Sequence, residues 1–514
     1  MSIRIATIVL VGLACFQSAA GQPAGPQSKE RSHVERFSTP EVRAEKAEAD
    51  ASARLAISPN DDGALNSRAI ARMRLGRNQE AYDDLRRAVA LKADNSDYQA
   101  NLGYVLWKLG RPEEAVATER AALKLDAKNT TAHYQLGRFL LRLGDPKDLK
   151  EAIGELRRAL ELDPRQYEVR FELIAGYREL GNLAEAAAQL DVLQDSRPTD
   201  PRVFYVSGLI DTDRNDLNSA IKNFNEAITR DPLMYAAWQD LGFAYIKAKR
   251  WADAVNAFAE LARRQPNSVE AAYFHALALY NSGNMAEAES EVRRALRLDA
   301  GAVEAHTLFG IILASRGNAN SEAADALSQA VGLNPNSFDA QFYLGRVQYA
   351  LKDYAGAARS FRAAVKLNPQ HAEARFFLGT TLELAGDSSA AMAEYQELLK
   401  SNPNSVMGQL GLGALLVKQG KLDEALAALQ RAVTLGPKEF EAHWALGRAL
   451  ALKERFTEAV ESFQTAVSLA PNRSDAHYQL GLALRRLGRG EEANREFAIV
   501  ERLNREFRTS TNPK

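Results

Sequence analysis

The amino-acid sequence predicts an all-α stack of helical hairpins, because thirteen copies of one 34-residue repeat follow each other along the chain. Alanine occupies the same position in every copy: Ala81, Ala115, Ala152, Ala186, Ala220, Ala254, Ala288, Ala323, Ala357, Ala391, Ala425, Ala459 and Ala493. Glycine stands about twelve residues earlier in most copies, as at Gly103, Gly137, Gly208, Gly242, Gly310, Gly345, Gly379, Gly413, Gly447 and Gly481. Proline stands about twelve residues later in most copies, as at Pro164, Pro198, Pro232, Pro266, Pro335, Pro369, Pro403, Pro437 and Pro471.

Each recurring residue has a physical reason to be where it is. A glycine or alanine that faces a neighbouring helix lets two backbones approach closely, whereas a larger side chain holds them apart. Proline ends the second helix because it lacks the backbone N–H that the next turn needs. Between these markers apolar residues fall at helical spacing, as at Leu241, Tyr245 and Phe258. Both helices of a hairpin therefore carry an apolar stripe, and only a stack of hairpins can bury both stripes.

One copy shows the complete pattern, with markers at Trp238, Gly242, Tyr245, Ala254, Phe258 and Pro266. In this pattern the chain resembles the tetratricopeptide repeat family over residues 41 to 507, and thirteen tandem copies make the resemblance specific. The resemblance implies a right-handed superhelical solenoid over residues 62–507, in which the first helices line a concave groove. The repeats open near residues 62, 96, 130, 167, 201, 235, 269, 303, 338, 372, 406, 440 and 474.

The repeat pattern also predicts how the array starts, ends and varies in length. Residues 41–61 are typical of a half repeat that covers the open end of the first full copy. Two copies carry insertions in their internal turns, around 146–148 and near 318–320, where a stack tolerates extra length. The thirteenth copy has Arg505 in place of the proline stop. Its last helix is therefore expected to run to about Phe507, followed by a disordered tail over 508–514.

The N-terminal residues have the layout of a secretory signal peptide. Arg4 precedes an apolar run over 5–16, and small residues follow up to Ala20. This layout predicts a signal peptide over 1–20, cleavage after Ala20 and export to a bacterial periplasm or out of the cell. Residues 21–40 are expected to form a flexible linker. The apolar run is short for a bilayer span, but an uncleaved N-terminal membrane anchor remains an alternative.

Composition and cysteine content exclude several classes of function. The 65 basic and 66 acidic residues give a net charge of −1, which argues against non-specific binding to nucleic acid or an anionic membrane. The single cysteine, Cys15, lies in the predicted signal peptide. A mature chain would therefore have neither a disulfide framework nor a cysteine metal site. The residues before Cys15 resemble a bacterial lipobox only faintly, which leaves lipid anchoring as a second alternative for the N-terminus.

No constellation of residues indicates catalysis. Four histidines occupy the fourth position of a repeat: His133, His306, His443 and His477. Since they lie on different hairpins, we interpret them as packing residues and not as metal ligands. The sequence also has no H-x-x-x-H pair, no G-x-S-x-G elbow and no phosphate-binding G-x-x-x-x-G-K loop. The sequence therefore predicts a protein that is not an enzyme and that holds neither cofactor nor metal.

The resemblance implies that positions two, five, nine and twelve of the first helices face the groove. Position five is aromatic in eight repeats: Tyr134, Phe171, Tyr205, Tyr273, Phe342, Phe376, Trp444 and Tyr478. Position nine adds Arg138, Arg346 and Arg448, and position twelve adds Trp107, Tyr280 and Tyr349. Aromatic and arginine side chains dominate the binding energy of many interfaces, so these residues are the candidate binding site. The alternative is that the rings only pack between adjacent first helices.

These observations favour an exported, non-enzymatic scaffold that holds a protein or peptide partner in its groove. The family's lysine and asparagine clamp for a C-terminal carboxylate is not reproduced, since position five is asparagine only at Asn66. Two alternatives remain open at this point. One is a structural subunit of an envelope secretion or polysaccharide-export apparatus. The other is a carbohydrate-binding module, because an aromatic-lined groove also suits sugar chains.

Overall fold

The computed structural model describes residues 39–316 and 321–511 and is entirely helical there, with twenty-seven α-helices and no strand. The predicted signal peptide, nearly all of the predicted linker, the insertion near 318–320 and residues 512–514 lie outside the described residues. The all-α class that the sequence predicts is therefore confirmed for the described part of the chain.

The helices follow the 34-residue period. They are α1 (Pro40–Ile57), α2 (Asp62–Arg74), α3 (Asn78–Leu91), α4 (Ser96–Lys108), α5 (Pro112–Leu125), α6 (Thr130–Leu143), α7 (Leu149–Leu162), α8 (Tyr167–Glu179), α9 (Leu183–Ser196), α10 (Pro201–Asp213), α11 (Leu217–Arg230), α12 (Tyr235–Lys247), α13 (Trp251–Arg264), α14 (Val269–Ser282), α15 (Met285–Leu298), α16 (Val303–Ser315), α17 (Ser321–Leu333), α18 (Phe338–Ala350), α19 (Tyr354–Leu367), α20 (Ala372–Leu384), α21 (Ser388–Ser401), α22 (Val406–Lys418), α23 (Leu422–Leu435), α24 (Phe440–Leu452), α25 (Phe456–Leu469), α26 (Ser474–Arg486) and α27 (Gly490–Thr511). Each even-numbered helix from α2 to α26 begins at the residue that opens a repeat. These are the first helices, and the odd-numbered helices from α3 onwards are the second helices.

The helices are organised in two compact units, an N-terminal unit up to Leu261 and a C-terminal unit from Ala262. Within each unit a first helix packs on its own second helix, as α4 does on α5 and α24 on α25. Adjacent first helices also touch, as α4 and α6 do in one unit and α20 and α22 in the other. Within each unit, successive repeats therefore contact each other, which is the arrangement that a solenoid requires.

The recurring alanines and glycines lie where two helices approach most closely. Ala152 and Ala459 have no exposed surface. A Cβ atom added to Gly447 on α24 would lie 2.7 Å from ring atoms of Phe463 on α25. Because such a distance is well inside van der Waals contact, a residue with a side chain fits at Gly447 only if the two helices move apart.

Polar residues at the helix starts satisfy backbone groups that the helices leave unpaired. The Asn129 side chain accepts a hydrogen bond from the backbone N–H of Ala132 at 2.9 Å. Ser337 does the same for Ala340 at 3.3 Å. Such caps compensate N–H groups of the first turn, which have no partner inside the helix. They help to explain why the helices that carry such a cap start at a fixed place in the period.

The first described helix packs as an extra helix against the first repeat. Leu55 on α1 is buried in one cluster with Leu65 on α2 and Tyr98 on α4. At the other end of the described chain, α27 continues to Thr511 and not only to about Phe507. Part of the predicted disordered tail is therefore helical. The physical reason is the missing proline stop, since Arg505 keeps the backbone N–H that lets the helix continue.

Candidate binding surface on the first helices

The first-helix face consists of the residues at positions two, five, nine and twelve of the first helices. In the N-terminal unit, Arg138 on α6 is the centre of an aromatic cluster on this face. Its guanidinium carbon lies 5.2 Å from the ring centre of Tyr134, 5.5 Å from that of Tyr104 and 5.6 Å from that of Phe139. Trp107 stacks on Phe139 at 4.4 Å with the two rings nearly parallel. Arg138, Tyr134 and Trp107 are half-buried, and contacts inside the unit occupy much of their surface.

The next first helices of the N-terminal unit are joined by polar contacts. Arg202 lies 4.5 Å from the ring centre of Phe171 and forms an ion pair with Glu168 at 2.9 Å. The Tyr205 hydroxyl donates a hydrogen bond to Asp240 at 2.7 Å. Burial raises the pKa of both Asp240 and Tyr205, and the Asp240 charge adds to the rise in the Tyr205 pKa. Phe171 and Tyr205 thus serve mainly to hold adjacent repeats together.

Three of the predicted rings are buried in the C-terminal unit. Phe342 is 4% exposed and lies among other rings, with ring centres at 5.8 Å from Phe338 and 6.0 Å from Phe361. Tyr273 and Tyr280 are 9% and 4% exposed. At these positions the ring enters the space between helices and becomes part of the hydrophobic core. The structure therefore places the rings of Phe342, Tyr273 and Tyr280 in the packed core, so their ring faces are not open to a partner.

Arg346 on α18 covers this buried aromatic cluster. Its guanidinium carbon lies 5.8 Å from the ring centres of Phe342, Tyr343 and Phe377. One of its nitrogens also lies 4.0 Å from a carboxylate oxygen of Glu373 on the next first helix. A cation over several ring faces is attracted by their electron density. Arg346 consequently stabilises the packing of α18 against α20.

Two further predicted rings are half-buried against other rings of the same unit. Tyr349 lies 5.9 Å from Phe377, with the two rings almost perpendicular. Phe376 lies 6.1 Å from Tyr395, whose hydroxyl is 3.1 Å from the Thr380 hydroxyl. Such contacts between rings stabilise the packing beyond what the buried area contributes. Tyr349 and Phe376 each keep only part of their ring surface accessible.

The most accessible predicted residues lie on α24 and α26. Arg448 is exposed, and its guanidinium carbon lies 4.7 Å from the ring centre of Trp444. Tyr478, at the same position of the next first helix, is 47% exposed. The Trp444 Nε1 atom is buried and has no hydrogen-bond partner among the described residues. An aromatic–arginine pair beside an exposed tyrosine is the kind of surface that anchors protein partners.

The position-four histidines have a structural role that sequence reasoning missed. The Nε2 atom of each lies 3.0 Å from the backbone carbonyl oxygen six residues earlier, at Ala127, Ala300, Pro437 and Pro471. Gln341 and Arg375 donate to the equivalent carbonyls at 3.2 Å. In these six repeats a side-chain nitrogen at position four therefore ties the first helix to the preceding loop. The recurrence of nitrogen-bearing side chains at this position was the available signal.

Glu119 on α5 is a second residue that sequence reasoning missed. It has no exposed surface, and neither carboxyl oxygen has a hydrogen-bond partner among the described residues. Burial raises the pKa of this carboxyl well above its usual value, although the charge of Arg138 opposes the rise. The other twelve repeats have aliphatic or aromatic residues at this place: Leu85, Leu156, Leu190, Phe224, Phe258, Val292, Leu327, Phe361, Tyr395, Leu429, Phe463 and Phe497. The lone carboxyl in an otherwise apolar series was the signal for it.

In residues 39–316 and 321–511, no three histidine, cysteine, aspartate or glutamate side chains converge as a set of metal ligands would. No helix in the same ranges combines the length and the apolar character that crossing a bilayer requires.

Comparisons with known proteins gave several similar chains. A BBSome complex member BBS4 homolog from Drosophila melanogaster is 24% identical over 168 residues, which span 32% of this chain and 35% of that relative. The chain in the crystal structure of MamA is 23% identical. The matched region spans 32% of this chain and 97% of the MamA chain, with a TM-score of 0.29. The Cut9–Hcn1 hetero-tetramer of the APC/C and yeast Tom70 are each 15% identical and cover 88% of this chain. The matched regions span 98% of the Cut9–Hcn1 chain and 97% of the Tom70 chain, with TM-scores of 0.42 and 0.36.

Family models describe the repeat itself. One tetratricopeptide repeat model matches residues 66–130, 101–148, 307–362, 352–406, 410–474 and 454–504, which together make up more than half of the chain. A second tetratricopeptide repeat model matches residues 145–208 and 212–279. These matches and the thirteen helical hairpins agree on one conclusion. The chain belongs to the tetratricopeptide repeat family.

Proposed function

We propose that this protein is an exported, non-enzymatic scaffold that holds a segment of a partner protein on its first-helix face. Proteins built from this repeat typically bind protein partners and are generally not enzymes. The observation that carries the proposal is the accessible surface on α24 and α26, where exposed Arg448 lies over Trp444 and Tyr478 is exposed at the same position of the next first helix. Part of the binding energy of such a site comes from ring and guanidinium surface that a partner covers.

A carbohydrate-binding module fits the structure less well. Sugar rings bind on open aromatic faces, whereas Tyr478 is the only predicted ring that is more than about a third exposed. The remaining predicted rings are half-buried or buried in contacts between helices. A protein segment, in contrast, can use the mixture of partly covered rings, arginines and carboxylates that the first helices present. We therefore favour a protein partner.

Truncating Arg448 or Tyr478 to alanine is expected to weaken capture of the partner strongly. Loss of an anchoring arginine or ring costs about 1–4 kcal/mol of binding free energy, which is a decrease of about 5-fold to 1,000-fold in affinity. The measurement is quantitative mass spectrometry of proteins cross-linked to each variant in extracts of the source cells. Arg431→Ala is the matched control, because Arg431 is exposed on the second helix α23 of the same unit. If only the control lost its partner, the binding site would lie on the second helices.

Export is proposed on the layout of Arg4, the apolar run over 5–16 and the small residues up to Ala20. N-terminal sequencing of the protein purified from its source is expected to begin at Gly21 or Gln22. A chain in the cytosol that still carries Met1 would contradict export. A fatty-acylated Cys15 at the new N-terminus would replace the proposed cleavage with lipid anchoring.

A further inference from the structure

Three consecutive first helices of the C-terminal unit carry a carboxylate at position two that has no cationic partner. These residues are Glu270 on α14, Glu304 on α16 and Asp339 on α18, and they form the acidic stripe. None of the three forms an ion pair with any described residue. Glu270 and Glu304 are exposed, and Asp339 is half-buried. The stripe therefore places three negative charges side by side on the first-helix face.

Other carboxylates at the same position of this unit are neutralised by neighbouring arginines. Glu373 on α20 lies 4.0 Å from Arg346. Glu441 and Asp475 lie 3.8 Å and 2.8 Å from Arg473. A position-two carboxylate can thus obtain a cation from within the chain, and in the acidic stripe it does not.

A tyrosine hydroxyl next to the stripe also lacks a partner within the described part of the chain. Tyr273 on α14 is 9% exposed, and its hydroxyl forms no hydrogen bond with any described residue. Burial raises the pKa of Tyr273, and the nearby charges of Glu304 and Asp339 raise it further. The phenol oxygen thus lies within the field of two carboxylates. An N–H donor that paired with these carboxylates could also donate to this oxygen.

A carboxylate in the first turn of a helix is favoured by the helix dipole, which accounts for acidic residues at position two in general. The dipole does not account for the surroundings of Asp339. Burial raises the pKa of Asp339, and the one cationic influence on it is that of His371 on α20. Removing a carboxylate from water without a cation beside it is unfavourable, and a cationic partner would offset this cost.

We propose that the acidic stripe binds a lysine- or arginine-rich segment of the partner protein. Ammonium or guanidinium groups of that segment pair with Glu270, Glu304 and Asp339, and one of them donates to the Tyr273 hydroxyl oxygen. This inference rests on the proposed function, because it names the chemistry of the partner on the same face. Opposite charges also speed association and make it dependent on salt.

The test uses the full chain and a fluorescein-labelled Gly-Arg dodecapeptide, with binding followed by fluorescence anisotropy. The variant Glu270→Gln/Glu304→Gln/Asp339→Asn is expected to bind the peptide about ten-fold more weakly, because three charge pairs with the peptide are lost. The control Glu287→Gln/Asp325→Asn/Glu424→Gln removes the same charge from exposed second-helix positions of the same unit. It is expected to bind within about two-fold of the unmodified chain, and binding by the latter is expected to weaken as salt is added.

Three results would overturn the inference. These are no binding of the basic peptide to the unmodified chain, equal losses in both triple variants, and unchanged binding by the stripe variant. If the stripe variant bound the peptide unchanged but melted at a lower temperature, the three carboxylates would only stabilise their helices through the helix dipole. The proposed function is tested separately by capture of the cellular partner. Loss of capture with Arg448→Ala, but not with the stripe variant, would keep the scaffold function and reject the basic segment.

Discussion

Replacing Glu119 with leucine is expected to stabilise the α4–α5 hairpin by about 2–4 kcal/mol at pH 7. The substitution removes a fully buried carboxyl without hydrogen-bond partners and adds apolar surface in its place. Leucine suits the site, because Leu156 occupies the equivalent place beneath Gly137 in the next repeat, as Glu119 does beneath Gly103. The gain should be local, since each repeat contacts mainly its neighbours.

The Glu119 carboxyl should also make stability depend on pH. Its pKa in the folded chain is raised above the usual value of 4.5. The unfolded chain therefore loses this proton at a lower pH than the folded chain does. The contribution of Glu119 to stability is fully present below about pH 4.5 and decreases as the pH rises through the raised pKa. Glu119→Leu is expected to remove this decrease.

Hydrogen exchange of the backbone amides in α4, α5 and α6, measured at pH 4.5 and pH 7, would report both effects. Glu119→Gln is the control, because it keeps the size and polarity of the side chain but cannot titrate. It is expected to remove the pH dependence without the full gain in stability. Lower protection in Glu119→Leu, or an unchanged pH dependence, would show that the carboxyl is paired in solution.

The fold class could be predicted because the repeat markers act locally. Glycine and alanine set the distance between two helices of one hairpin, and proline ends the second helix. The exposure of the candidate rings could not be predicted in this way. Phe342 and Tyr478 share position five, yet one is 4% and the other 47% exposed. Rings from α18, α19 and α20 surround Phe342, whereas no first helix follows α26 in the described residues.

The pairing of charged side chains on the candidate surface could not be predicted from the sequence, for a related reason. Carboxylates at position two cannot be told apart from the sequence of their own repeat. In the structure, however, Glu373 has an arginine beside it and Glu304 has none. Whether a charge is compensated depends on side chains of the adjacent repeat, which lie about 34 residues away in the sequence. The burial of Glu119 could have been predicted from the sequence, because the equivalent positions of the other repeats are aliphatic or aromatic. Its position does not coincide with any of the recurring alanine, glycine or proline markers.

Replacing Gly208 with alanine is expected to destabilise the α10–α11 hairpin by about 1–3 kcal/mol, although alanine favours a helix. A Cβ atom at Gly208 would lie 2.6 Å and 2.7 Å from two ring atoms of Phe224, which is 1% exposed. Gly154→Ala is the matched control within a helix of the same unit. A Cβ atom there would have no atom within 4 Å, so this substitution is expected to stabilise α7 by about 0.5–1 kcal/mol.

Hydrogen exchange in α10 and α11, together with thermal unfolding, would distinguish the two glycines. The repeat pattern itself supplies the rescue variant. The seventh repeat has alanine and valine at the places of Gly208 and Phe224, namely Ala276 and Val292, and both are buried. Gly208→Ala/Phe224→Val should therefore cost less than the sum of its two single substitutions, since the smaller side chain makes room for the added Cβ atom. Additive losses would mean that the Gly208 backbone does not lie against Phe224. The recurring glycine would then reflect something other than the close approach of two helices.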